Sequence, residues 1–92
     1  MFIDSRNLEP GHRVETDVCI IGAGAAGITI AREFENTSTR VALLESGGLD
    51  YEEKIQSLNK GENIGMPSFP VHVNRLRFFG GTTIHSHWFS EM

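Results

Sequence analysis

The sequence predicts an α/β fold built on one strand–helix–strand unit with an incomplete sheet. Three observations carry that expectation. Asp17-Val18-Cys19-Ile20-Ile21 and Val41-Ala42-Leu43-Leu44 are short apolar runs of the kind shown by parallel strands covered on both faces. Between them Ile28, Ala31 and Phe34 recur at helical spacing, with Arg32, Glu33 and Glu35 supplying a polar side. The first run passes at once into Gly22-Ala23-Gly24-Ala25-Ala26-Gly27, so strand gives way to helix through a glycine turn.

Three stretches follow from this in chain order. Residues 1–15 read as a polar arm over the surface, with Glu9-Pro10-Gly11-His12 as a turn, because proline presets one φ and glycine supplies the positive one. Residues 16–48 are the strand–helix–strand core, its helix ending near the turn formers Asn36-Thr37-Ser38-Thr39 and its second strand stopping at Glu45-Ser46-Gly47-Gly48. Residues 49–92 are irregular. Within them Tyr51 to Asn59 suggests a short helix with Tyr51, Ile55 and Leu58 on one side. Lys60 to Pro70, with Gly61, Gly65, Pro67 and Pro70, reads as loop, and Val71 to Phe79 as extended chain.

Composition bounds the function. A chain of 92 residues has room for one small domain and only a modest core. Its net charge of -4 argues against nucleic acid or an anionic membrane surface as partner. The lone Cys19 leaves no internal disulfide framework, and within an apolar run it reads as a small buried hydrophobe. Met1-Phe2-Ile3-Asp4-Ser5-Arg6 holds no signal-like apolar stretch and no run approaches membrane-spanning length, so the expected location is cytoplasmic.

The glycine turn carries the chemistry. A first βα turn that receives a diphosphate must bend sharply, admit the ligand to its backbone and let the helix pack closely on the strand. Gly22, Gly24 and Gly27 stand at the three positions where those demands exclude a side chain. The intervening Ala23, Ala25 and Ala26 keep the turn small, and no Lys or Arg lies in it. Recognition of phosphate would therefore fall to the backbone N–H groups of the helix N-terminus. The second strand ends in Glu45, near the spacing of about 20 residues at which a carboxylate meets the ribose hydroxyls. That carboxylate would repel a 2′-phosphate, which argues against NADP. A glycine-rich turn followed by a solvated glutamate, with no ligand, is the competing reading. The Rossmann-like unit so defined calls for an ADP-containing cofactor, and both FAD and NAD present one.

A longer resemblance separates the two. Val18 to Gly27, then Val41-Ala42-Leu43-Leu44-Glu45-Ser46-Gly47-Gly48, resembles the amino-terminal segment of glucose–methanol–choline (GMC) oxidoreductases, bacterial members in particular. The likeness begins at Met1-Phe2-Ile3-Asp4-Ser5-Arg6. It continues through Gly61-Glu62-Asn63-Ile64-Gly65 and Arg75-Leu76-Arg77-Phe78-Phe79-Gly80-Gly81-Thr82-Thr83, and so covers nearly the whole chain to about Thr83. It implies that FAD lies along this domain, with Gly80, Gly81, Thr82 and Thr83 beside the diphosphate and flavin end and Ser46 beside Glu45 at the adenosine end. Two glycines there admit close backbone approach and threonine hydroxyls can hydrogen-bond a ligand; a Gly-Gly turn between strands is the plain alternative. Arg75 and Arg77 either neutralise phosphate charge or are simply solvated.

Past Thr83 the pattern departs. Bacterial relatives tend to carry Asn-His-Trp and small residues, whereas this chain reads Ile84-His85-Ser86-His87-Trp88-Phe89. His85 keeps the family's offset from the glycine pair, and in some members of the wider family, pyranose oxidase among them, a histidine in a similar segment bonds covalently to the flavin. His85, and behind it His87, are thereby candidates for flavin attachment; as a pair without a third ligand they do not call for a metal. The family's substrate domain and catalytic histidine lie far downstream, so no catalytic residue is carried over. The expectation is an FAD-binding segment of a GMC-type oxidoreductase acting on CH–OH groups of alcohols or sugars, truncated and inactive alone. Its partners would be FAD and either the missing remainder of the enzyme or a second chain completing the sheet. The alternative is a stand-alone NAD- or ADP-binding or interaction module without catalysis.

Overall fold

The computed structural model describes residues 1–84. Strand β1 (Val18–Ile21) leads through the glycine turn into helix α1 (Ala25–Arg32), and the chain returns as strand β2 (Val41–Leu44). Helix α2 (Glu53–Gln56) runs on into a 3₁₀ turn (Ser57–Asn59), and a one-turn helix α3 (Val71–Asn74) follows. β1 and β2 pair in parallel, Val18 opposite Val41 and Ile21 opposite Leu44. The architecture is mixed α/β with one two-stranded parallel sheet among the described residues.

Both ends of the strand pair are closed by hydrogen bonds. At the start, the Arg40 carbonyl accepts the N–H groups of Asp17 (2.9 Å) and Val18 (3.1 Å), while the Asp17 carboxylate accepts the Arg40 N–H at 2.8 Å. At the finish, Gly22 donates its N–H to the Leu44 carbonyl at 2.7 Å. Gly22 then turns the chain at φ +104°, a conformation that a side chain would strain. A Cβ on Gly27 would collide with the Gly22 carbonyl oxygen and lie 3.4 Å from Ile20 Cγ2. The missing side chain is what lets α1 lie directly on β1. Regular helix stops at Arg32 and continues as turns through Asn36, which takes φ +60°. The chain thus reverses where the turn formers stand, although the helix proper is shorter than its polar–apolar pattern suggests.

Strand β1 is covered on one face, not two, while Val41, Ala42 and Leu43 of β2 are all half-buried. Val18 and Ile20 are half-buried, with Ile20 against α1, whereas the alternate residues Cys19 and Ile21 are exposed. Ile21 is 86 % exposed and Leu44 52 %. The expectation of doubly covered strands, with Cys19 as a buried hydrophobe, is therefore corrected: the described residues bring a helix to only one side of β1. Among them Ala23 and Phe78 are the only buried apolar residues.

The second half departs from its sequence pattern in two places. A short helix does form within 51–59, but Tyr51 and Leu58 face outward and Gln56 is the buried residue, only 4 % exposed. Val71 to Phe79 is not extended throughout; Val71–Asn74 makes one helical turn, and extended chain begins at Arg75 (φ −128°, ψ 131°). Pro70 sits just before that turn, where its fixed φ and lack of a donor suit a helix start. The arm behaves as its composition suggests. Its residues are exposed except for the half-buried Leu8, Gly11 supplies the positive φ of the Glu9–His12 turn, and Phe2 lies edge-to-face on Phe79 at 5.3 Å.

The Asp17 carboxyl is held below the ordinary carboxylate range, first by the Arg40 backbone N–H and then by its guanidinium. A depressed folded-state value means a contribution present above the unfolded value of about 4 and lost as pH falls below it. Asp17→Asn should therefore lower the thermal midpoint at pH 7, with a deficit relative to wild type that shrinks as pH falls below about 4; a deficit that does not change with pH would remove the carboxylate from the account.

Candidate functional site

The candidate site stands at the carboxyl ends of the two strands, where ligands of open parallel sheets bind. It begins with α1. The first helical bond of this segment runs from the Ile28 N–H to the Gly24 carbonyl at 3.0 Å. The N–H groups of Ala25, Ala26 and Gly27 precede it and have no carbonyl a turn earlier to bond. No acidic side chain stands in the first turn, and Gly24 caps the helix without a side chain. The arrangement is a set of unsatisfied donors at the positive end of a helix dipole. A Cβ at Gly24 would meet nothing within 4 Å, so the space before these donors is open.

Glu45 reaches back across the strand ends to the same turn. Its Oε2 accepts the Ala23 N–H at 2.8 Å, and its Oε1 accepts the Gly47 N–H and the Ser46 hydroxyl, each at 3.2 Å. A carboxylate offers about four acceptor positions. Three are used by the chain, which fixes the group in place and leaves capacity for a hydroxyl donor. A phosphate at that point would meet a held negative charge.

The second glycine pair arrives from 56 residues further along the chain than Gly24 and docks on the first turn. Gly80 donates its N–H to the Ala23 carbonyl at 2.8 Å, and Phe79 donates to the Gly48 carbonyl at 2.8 Å. Gly47 lies against the Arg77 carbonyl so closely that a side chain there would collide with it. Three glycine segments, at 22–27, 47–48 and 80–81, thus converge on one end of the sheet. Ala23 is buried at the centre, 1 % exposed.

The convergence borders an open groove of about 600 Å³, within the size range of small-molecule sites. Ile21, Gly22, Leu44, Glu45 and Ser46 form its strand side. The opposite side is Asn59, Val71 and the run Arg75-Leu76-Arg77, with Thr82 beside them. Of the expected residues, Gly22, Glu45, Ser46 and Thr82 line this groove, whereas Ala23 to Gly27, Gly80 and Gly81 do not. Thr82 lines the groove while its Oγ1 accepts the Leu76 N–H at 3.1 Å, and Thr83 turns its hydroxyl to the Gly80 carbonyl at 3.0 Å. Thr83 is thus a turn-former rather than a ligand donor. His85 and His87 lie outside the described residues.

Sequence reasoning passed over Gln56 and Asn59 and left Arg77 undecided. Asn59 accepts from Arg77 Nη1 at 3.0 Å, so this guanidinium is anchored at the groove and not simply solvated. Polar residues three apart on a short helix ordinarily read as a solvent face, and only their tertiary partners show otherwise. Among the described residues no cluster of metal-ligating side chains is present, and no helix is long and apolar enough to cross a membrane. No known protein family matches the chain, and no solved structure gives a significant match.

The glycines divide into two kinds, which substitution should separate. Gly24 has ordinary extended backbone angles (φ −83°, ψ −172°) and open space before it. Gly24→Ala should leave the circular dichroism spectrum and thermal midpoint near wild type while obstructing the groove end of α1. Gly27→Ala forces a methyl into the Gly22 carbonyl and should cost about 3 kcal/mol or more of stability, the upper end for overpacking. Equal loss of stability in both variants would contradict the division.

Proposed function

We propose that this chain is a dinucleotide-binding segment of Rossmann type that holds the ADP portion of FAD, and that it serves a flavin-dependent oxidoreductase of GMC type acting on CH–OH groups of alcohols or sugars. The observation that carries the reading is the convergence of Gly22–Gly27, Glu45-Ser46-Gly47-Gly48 and Gly80-Gly81-Thr82 at one end of a parallel strand pair, tied by the Gly80 N–H to Ala23 carbonyl bond and the Glu45 to Ala23 N–H bond. A fold that only needed a sharp turn has no use for a second glycine pair docked upon it.

The donor set fits the group. The free N–H groups at the start of α1 suit a diphosphate. The Glu45 carboxylate suits ribose hydroxyls and disfavours a 2′-phosphate. Arg77, anchored by Asn59, adds positive charge beside the phosphates. Thr82, on the same wall, has its Oγ1 engaged as acceptor by the Leu76 N–H and keeps a hydroxyl donor for a ligand. When bound, FAD supplies a hydride acceptor for alcohol oxidation. The residues of this chain bind and orient it, and none of the described residues is assigned to catalysis.

Titration of the purified chain with FAD, followed by flavin fluorescence, tests the reading. ADP should compete and adenosine 2′,5′-bisphosphate should not. Glu45→Ala should weaken ADP by about tenfold, or ~1.4 kcal/mol, and narrow the difference between the two competitors. Binding of NAD without any flavin binding would replace the cofactor assignment with the stand-alone nucleotide-binding module. Equal competition by both adenosine nucleotides would remove Glu45 from recognition.

A further inference from the structure

We propose that Gln56 is a positioning residue for the groove: its one amide holds the 72–77 segment in the shape that brings Leu76, Arg77 and Thr82 to the ligand. This rests on the reading of the groove as a nucleotide site.

Gln56 is buried at 4 % exposure yet lines no part of the groove. Its Nε2 donates to the carbonyls of His72 (2.8 Å) and Arg75 (2.5 Å), and its Oε1 accepts the Arg77 N–H at 3.1 Å. These backbone groups lie where α3 ends and no strand ladder follows, so they need partners from a side chain. Two carbonyls on one side and an N–H on the other fix the orientation of the amide. They also fix the residue type. A glutamate would present a carboxylate to two carbonyls, and an apolar side chain would leave the His72 carbonyl and the Arg77 N–H unsatisfied and the Arg75 carbonyl with the Asn59 amide alone.

Asn59, one helical turn along, repeats the device. Its Nδ2 donates to the Arg75 carbonyl at 3.1 Å and its Oδ1 accepts from Arg77 Nη1. The clamped backbone then passes the constraint on, because the Leu76 N–H between the two held carbonyl and amide positions donates to Thr82 Oγ1 at 3.1 Å. Gln56 is thereby linked, through the 75–77 backbone, to the residue that follows the second glycine pair. Each link after Gln56 borders the groove.

The test uses the full chain as wild type, Gln56→Met and Gln56→Glu, with two readouts. Residue-resolved amide exchange without nucleotide should quicken at Leu76 and Arg77 by at least about tenfold more in Gln56→Met than at the β1 amides, since an opened clamp exposes those groups first. The ADP dissociation constant of the folded variant should rise about tenfold. In Gln56→Glu both defects should diminish as pH falls, because burial raises the carboxyl above about 4.3 and the protonated form regains one donor. A Gln56→Met variant that does not fold leaves this pH profile as the deciding measurement, read at and below the pH where Gln56→Glu is folded. Exchange that quickens equally at β1 and Arg77, or unchanged ADP affinity in a folded variant, overturns the proposal. If wild type binds no nucleotide, the site reading fails and the ligand-positioning role with it, while the exchange data separately decide whether the clamp exists.

Discussion

Everything at the binding end depends on the approach of one helix to one strand. Gly27 brings α1 against the Gly22 carbonyl, and this sets where the first helical N–H groups stand relative to the strand ends. Move the helix out by one methyl group and three further relationships lose their geometry: the reach of Glu45 to the Ala23 N–H, the docking of Gly80 on the Ala23 carbonyl, and the mouth of the groove. Close contact between backbones is unforgiving because interiors are packed at crystal-like density. The turn is therefore a datum from which the rest of the site is measured.

The strand–helix–strand core was legible because its signals are local. Apolar runs of four or five residues bounded by Asp17 and Glu45 mark the strands, and the glycine spacing marks the turn between strand and helix. Glu45 was legible for the same reason, since a residue at the end of the second strand is carried to the turn by parallel pairing alone. The burial of those strands was misjudged. Periodicity reports the face a residue occupies, and whether that face is covered depends on other elements; here the described residues cover one face of β1.

The second half was less legible because its order is tertiary. Val71 to Phe79 carries an apolar–polar alternation that suits a strand, yet among the described residues no strand lies beside it to accept its hydrogen bonds. Side-chain amides take that role, and the segment bends into one helical turn and an extended stretch. Nothing in a short helix with Gln56 and Asn59 on one side distinguishes a clamp from a wet surface until the partners are known. The docking of residues 80–81 on residue 23 is likewise invisible to local pattern, and only the family resemblance pointed to it.

The placement of the two buried apolar residues has a thermodynamic consequence. Ala23 and Phe78 lie beside the glycine convergence, not between sheet and helix. Here the best-packed region adjoins the groove without lining it: Ala23 follows Gly22 and Phe78 follows Arg77, and both of those neighbours border it. A ligand held at the proposed site would raise stability with its concentration as RT ln(1 + [L]/Kd).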